Sequence, residues 1–310
     1  MTTSRREFLI HSGAALTAAA VTAAGPFRLN ANPLGRPVGL QLYTVKEQLE
    51  KDYDGTLSKV AAIGYREVEM AGFFGRKPVE IKASLDKAGL HCGSVHNFGR
   101  GPATEAMDYA TAIGAKYIIT SVLLPNRLTA AGTKLDWNAF SAMLKTLTLD
   151  DYKSIAEECN HMGEQAKKAD LQLGYHNHNV EFKPFAGGTG YDELLRSTDP
   201  ELVKLELDCG WMSAAGVNPA TYIAKYPDRY RLLHIKDFKL TSKPSFGMWP
   251  GESPEPTEAG RGNIDYKPIF SAAQKAGNIE WYYVEQEPPY KDMPAMDAIK
   301  VDYEYVHKLA

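Results

Sequence analysis

From about residue 38 to the C-terminus, apolar positions follow two alternating rhythms: short, nearly continuous apolar runs, and longer stretches in which apolar residues return every three or four positions. The passage from the second rhythm to the first recurs in one form, a small residue with Gly or its equivalent and then at once an apolar run. Instances are Ala62-Ile63-Gly64-Tyr65, Ala88-Gly89-Leu90, Ile113-Gly114-Ala115, Ala169-Asp170-Leu171 and Ala276-Gly277-Asn278. A glycine just past a helix end takes the left-handed conformation that closes the helix and turns the chain into the next strand.

The apolar runs predict strands at Gly39–Tyr43, Glu67–Met70, His91–His96, Tyr117–Thr120, Gln172–His176, Val203–Asp208, Leu232–Ile235 and Trp281–Glu285. Helical periods lie between them at Thr56–Ile63, Val79–Ala88, Asp151–Ala169, Tyr191–Ser197, Pro219–Tyr226 and Tyr266–Ala276. Such alternation predicts parallel strands with crossover helices. Eight units within residues 32–310 match a single-domain α/β fold, the (β/α)8 TIM barrel, whose ordinary size is about 250 residues. A doubly wound open sheet is the competing topology, weakened because no GxGxxG follows the first strand and no Walker sequence occurs. Two insertions break the rhythm, Leu123–Leu149 and the Pro- and Gly-rich Lys239–Asp265. A barrel places both on its C-terminal face, as walls or a lid over a pocket.

The predicted strands finish in polar groups where packing alone would call for apolar ones. They end at Gln41 and Tyr43, Glu69, Ser94 and His96, Thr120 and Ser121, Tyr175-His176-Asn177-His178-Asn179, Glu206-Leu207-Asp208, His234-Ile235-Lys236-Asp237 and Glu285-Gln286-Glu287. Barrel closure gathers all of them on one face. Mixed imidazole and carboxylate donors suit one divalent ion such as Mn, Co, Zn or Fe better than Ca or Mg. The alternative is a buried ion-pair network around the mouth, for which Lys236 and Arg261 are the evident cations.

Charge narrows the partner. Lys+Arg 35 against Asp+Glu 38 leaves a net charge of -3, with no basic footprint for nucleic acid and no polybasic arm for anionic lipid. A small molecule remains. With 310 residues, 44% of them hydrophobic, the chain can bury a large core, and its 3 cysteines form no CxxC pair or disulfide framework. At the N-terminus, Ser4-Arg5-Arg6-Glu7-Phe8-Leu9 is a twin-arginine pattern, followed by an alanine-rich run too short and too weakly apolar to span a bilayer. Residues 1–31 are therefore read as a Tat signal and linker, with export to the periplasm or beyond and no stable membrane insertion. Exposed barrel helices leave room for a homodimer.

Gly39-Leu40-Gln41-Leu42-Tyr43-Thr44-Val45, the Tyr-His-Asn-His-Asn-Val-Glu-Phe stretch from Tyr175 to Phe182, Leu207-Asp208-Cys209-Gly210-Trp211, His234-Ile235-Lys236-Asp237 and Val284-Glu285 together resemble the sugar phosphate isomerase/epimerase superfamily, the xylose-isomerase-like TIM barrels. That resemblance implies a divalent metal ion on His176, Asp208, His234 and Glu285, with His176 standing where family members carry Glu, and Trp211 where several epimerases have His. It implies chemistry beside a carbonyl: isomerisation, epimerisation, or elimination of the inosose dehydratase or 3-keto-glycoside kind. Glu285, His178 and Lys236 are the catalytic candidates; Gln41, Tyr43, Glu69, His96 and Trp211 are assigned to substrate. Phe98 and Trp249 are further candidate sugar-stacking faces. The lack of an assembled phosphate clamp, Gly260-Arg261-Gly262 reading as a turn, favours an unphosphorylated carbohydrate. Endonuclease-IV-like DNA repair and a non-catalytic sugar-binding barrel are the competing functions, the first opposed by export and net charge.

Overall fold

The computed structural model describes residues 34–96, 103–125, 127–128, 136–248, 251–288 and 290–309. Eight strands, β1 (Gly39–Gln41), β2 (Glu67–Met70), β3 (His91–His96), β4 (Tyr117–Ser121), β5 (Gln172–His176), β6 (Val203–Asp208), β7 (Tyr230–Ile235) and β8 (Trp281–Val284), pair in chain order. All are parallel, and β8 closes on β1 with Gly39 opposite Tyr283. A helix follows each strand: α1 (Tyr53–Ile63), α2 (Pro78–Ala88), α3 (Ala103–Ile113), α4 (Leu149–Lys168), α5 (Gly190–Ser197), α6 (Pro219–Lys225), α7 (Tyr266–Ala276) and α8 (Ala295–Val306). The expected (β/α)8 barrel is the observed fold. Helix α4 opens on a capping box between Thr148 and Asp151, and Gly89 (φ 68°) and Gly277 (φ 71°) close α2 and α7 in the left-handed conformation.

Three details differ from the sequence reading. The first strand stops at Gln41, because the Gln41 side chain accepts the Tyr43 N–H and bends the chain into a 3-10 turn over Leu42–Val45. The Leu123–Leu149 insertion holds a helix, Trp137–Lys145, N-capped by Asp136. The Lys239–Asp265 insertion carries Glu255–Thr257, which pairs antiparallel with Asp237–Lys239. The twin-arginine segment, Phe98 and Trp249 lie outside the described residues. Among those described, no helix is long and apolar enough to cross a membrane, and Cys92, Cys159 and Cys209 are buried free thiols.

Strand alternation sends every second side chain into the barrel. The lower interior is plugged by Tyr117, Ile119, Leu232 and Tyr283, with Trp281 against them. Tyr283 fits because its neighbours have no side chain: a Cβ at Gly39 would stand 2.4 Å from its ring, and one at Gly93 2.5 Å from its hydroxyl. On this plug rests the next inward layer, which is polar.

Asp237 shows how a strand-end carboxylate can be structural. It accepts N–H groups from Phe238, Gly260, Gly262 and Ile264 at 2.9–3.2 Å and so folds the seventh loop around itself. The Gly260 and Gly262 amides are thereby occupied by the protein's own anion, and the Arg261 N–H by the Glu258 carbonyl. Below this loop Asp302 of α8 accepts the Ala259 N–H at 2.6 Å, while its Oδ2 has no hydrogen-bond partner among the described residues. Burial, helped by the charges of Glu258 and Asp237 against the Ala259 hydrogen bond, pushes the Asp302 carboxyl from 3.8 up to about 8. The folded chain thus keeps a proton that the unfolded chain releases near 3.8, and stability should fall as pH rises between those values, by at most roughly 1.4 kcal/mol per pH unit. Thermal unfolding between pH 5 and 9 should show Asp302→Asn flattening that decline; an unchanged slope would mean that another group sets it.

Candidate metal centre

Next to the plug, the inward polar positions are Gln41, Glu69, Ser94, His96, His176, Glu206 and His234, all buried. Asp208 lies two residues past Glu206 and Lys236 two past His234, and Glu285 comes just after β8, so these three stand nearest the mouth. The result is two tiers.

The lower tier is a hydrogen-bond network centred on Glu69 and Glu206, with Glu206 Oε1 left without a hydrogen-bond partner among the described residues. Glu69 accepts from Gln41 Nε2 (2.8 Å), Ser94 Oγ (2.7 Å) and His234 Nε2 (2.6 Å). Glu206 Oε2 faces His96 Nε2 at 2.8 Å, His176 Nδ1 at 2.9 Å and His234 Nε2 at 3.3 Å. Burial favours a neutral His96 ring, but the two carboxylates raise it to about 10 and hold it as a cation. Burial and the Glu69 charge oppose ionisation of Glu206, yet His234 and His176 draw its carboxyl down to about 2.

The upper tier is built from the other nitrogens of the same rings. His176 Nε2 lies 3.8 Å from Asp208 Oδ2, His234 Nδ1 lies 4.0 Å from that oxygen, and His234 Nδ1 is 3.1 Å from Glu285 Oε2. Donor atoms around one tetrahedral ion, at about 2.0–2.2 Å from it, stand roughly 3.3–3.6 Å apart. Asp208 Oδ2 has no hydrogen-bond partner among the described residues, although three nitrogens surround it. Five carboxylates (Glu69, Glu206, Asp208, Glu285, Glu287) face three cations (His96, His234, Lys236), an excess of two negative charges. An orphaned acceptor, converging nitrogens and an excess of negative charge fit a divalent ion, which would take the place of the His234 Nδ1 proton on binding there. His96, His176, Glu206 and His234 also converge, with Glu206 Oε1 likewise unpartnered among the described residues, but the ring nitrogens on that side are spent on hydrogen bonds to Glu206 and Glu69, so the upper tier is the better cradle.

Lys236 is fully buried, with Nζ 2.7 Å from Glu285, 2.5 Å from Glu287 and 3.5 Å from Asp208, and 5.1 Å from the centre of the Trp211 ring. Burial disfavours its charge, but the carboxylates more than offset this and hold it as an ammonium. His178, past the end of β5, lies between the His176 ring (4.9 Å) and the Trp211 ring (5.8 Å). Burial and then the Lys236 charge lower its imidazole to about 3, and its Nδ1 has no partner among the described residues.

Of the residues assigned to the site from sequence, His176, His178, Asp208, Trp211, His234, Lys236 and Glu285 converge. Gln41, Glu69 and His96, assigned to substrate, instead sit in the lower tier, where their polar atoms are engaged by one another and by the histidines. Tyr43 stands on the 3-10 turn, its N–H given to Gln41. Glu206 and Glu181 were not singled out. Glu206 had a signal, since it shares strand parity with Asp208. Glu181 had little: it is buried in the turn after β5, where it accepts the His178 N–H (2.9 Å) and the Tyr175 hydroxyl (3.0 Å) and so sets the His178 backbone.

Residues 57–306 match the xylose isomerase-like TIM barrel family model. Inosose dehydratase of Lacticaseibacillus casei is 26% identical over 274 residues, covering 81% of this chain and 88% of its own length. The Geobacillus kaustophilus inosose dehydratase is 25% identical over 284 residues, 83% of this chain and 87% of its own. The crystal structure of a sugar phosphate isomerase/epimerase from Parabacteroides distasonis superposes with a TM-score of 0.68 at 25% identity, covering 87% of this chain and 93% of that one. The family match spans most of a closed eight-stranded barrel, and on that ground the chain belongs to the xylose isomerase-like TIM barrel family.

Proposed function

We propose that this protein is a metal-dependent enzyme that removes a proton beside the carbonyl of an unphosphorylated keto sugar or cyclitol, with loss of a neighbouring hydroxyl as the favoured outcome. The observation that carries the reading is the buried convergence of His176, Asp208, His234 and Glu285, suited to Mn, Co, Zn or Fe. A divalent ion held there would supply Lewis-acid polarisation of a carbonyl and its adjacent hydroxyl, making the C–H between them acidic.

The chain's own groups divide the remaining work. Lys236, kept as an ammonium, is a proton donor and an anchor for negative charge growing on oxygen; it is not the base. His178, neutral with an open Nδ1, takes the carbon-bound proton. Its weak basicity at rest owes part to the Lys236 charge, so it strengthens as Lys236 hands its proton to the departing hydroxyl, which leaves as water. Glu285, ionised between His234 and Lys236, is the alternative base, and Trp211 backs both His178 and Lys236.

The excess negative charge at the mouth and the Asp237 carboxylate on the Gly260 and Gly262 amides both speak against a phosphorylated substrate. The inosose dehydratase relatives support elimination; the Parabacteroides isomerase/epimerase supports isomerisation or epimerisation as the second reading. Export, read from the twin-arginine segment, suits breakdown of external carbohydrate. Metal-loaded protein incubated in deuterated water with keto-inositols and 3-keto glycosides should yield an unsaturated carbonyl product. Deuterium at the carbon beside the carbonyl, without unsaturation, would move the assignment to the second reading. Tight sugar binding with neither outcome would leave a binding protein.

A further inference from the structure

We propose that Glu206 is a positioning residue for both histidines of the metal centre: its carboxylate sets which ring nitrogen of His176 is free, and with Glu69 it holds the His234 ring so that Nδ1 is the nitrogen turned toward the site. The inference rests on the metal reading above and assigns work to a carboxylate outside the ligand set proposed there.

An ionised carboxylate only accepts hydrogen bonds, so a ring nitrogen at hydrogen-bond distance from it carries the proton. His176 Nδ1, 2.9 Å from Glu206 Oε2, is therefore N–H, which leaves the Nε2 lone pair aimed toward Asp208. His234 Nε2, 2.6 Å from Glu69 and 3.3 Å from Glu206, is also N–H, which turns Nδ1 toward Asp208 and Glu285; that Nδ1, 3.1 Å from the Glu285 carboxylate, is N–H too, and its proton is the one an ion would displace. The two rings present opposite nitrogens upward, Nε2 from one and Nδ1 from the other, and the carboxylates beneath them account for the difference. Glu69 is fixed in turn by Gln41 and Ser94, and Glu206 by the His96 N–H at 2.8 Å. No apolar side chain of similar shape could direct both rings. Carboxylates behind histidine ligands raise ligand basicity as well as fixing orientation, and losing one typically costs 10–100-fold in metal affinity.

The test uses the full chain with Glu206→Gln and Glu206→Asp. Zinc affinity is read by competition with a chromophoric chelator, and the histidine ring nitrogens by long-range 1H–15N correlation in the metal-free and zinc-loaded states. Glu206→Gln should weaken zinc binding by roughly 10–100-fold and shift the His176 ring signals away from the Nδ1–H form, with Glu206→Asp in between. Should Glu206→Gln fail to fold, Glu69→Gln should perturb the His234 signals and leave those of His176 in place. Parent-like affinity together with parent-like ring signals in Glu206→Gln would overturn the inference. If the parent chain itself takes up none of zinc, manganese, cobalt and iron(II), the metal reading falls, and the metal-free ring signals still decide whether Glu206 sets the His176 tautomer.

Discussion

Asp208→Asn is expected to strip the protein of its divalent ion and its turnover while the barrel stays folded. Asp208 does two jobs with its two oxygens. Oδ1 accepts the Trp211 N–H at 2.6 Å and caps the short helix Cys209–Ala214, while Oδ2 is the orphaned acceptor that His176, His234 and Lys236 surround. Asparagine keeps the cap and removes the negative donor. Alanine would also remove the cap, at a cost of about 1 kcal/mol, and would blur loss of metal with loss of stability. Affinity for zinc should fall by more than about a hundredfold, beyond the usual range for changes behind the ligands. Metal content after dialysis, set beside far-UV circular dichroism and unfolding midpoint, gives the answer; stoichiometric metal in a folded Asp208→Asn protein would remove Asp208 from the ligand set.

The second large effect is on stability and concerns Lys236. Its ammonium is the buried counter-charge for Glu285, Glu287 and Asp208, so Lys236→Met leaves three carboxylates facing one another. Removing one partner of a buried pair typically costs about 3–5 kcal/mol, because the remaining charge is stranded away from water. The metal-free variant should therefore unfold at clearly lower urea than the parent. Zinc should recover more of the loss than it adds to the parent, since two positive charges then replace the missing one. Turnover should remain low even with metal, because the proposed proton donor is gone. Equal midpoints for variant and parent, both metal-free, would show that the ammonium is not what balances the site.

Much of this was legible in the sequence. The short apolar runs, the helical periods between them and the glycine stops at Gly89 and Gly277 predict the strand and helix order, since each depends on local backbone geometry. The polar strand ends at His176, Asp208, His234 and Glu285 predict one cluster, because closure of a parallel barrel brings all such ends to one face. Less was legible where a polar residue had two possible partners. Asp237 reads as a site residue until the Gly260 and Gly262 amides are seen around it, and the Trp137–Lys145 helix is hidden in an insertion with no strand after it.

Sequence by itself determined the eight-unit barrel, the face that carries the chemistry and the residue types available there. Only the tertiary structure decided depth. Whether an inward residue lies on the floor or at the mouth depends on strand stagger and on the register shifts at Val68/Glu69 and Leu205/Glu206, which no single strand encodes. Stagger puts Gln41, Glu69 and His96 below the histidines and Asp208, Lys236 and Glu285 above them. It also brings Glu206 of β6 under a ring from β5 and a ring from β7. Which nitrogen of each ring faces upward then follows from which carboxylate lies beneath it, a relation between residues 30 and 165 positions apart that exists only once the barrel has closed.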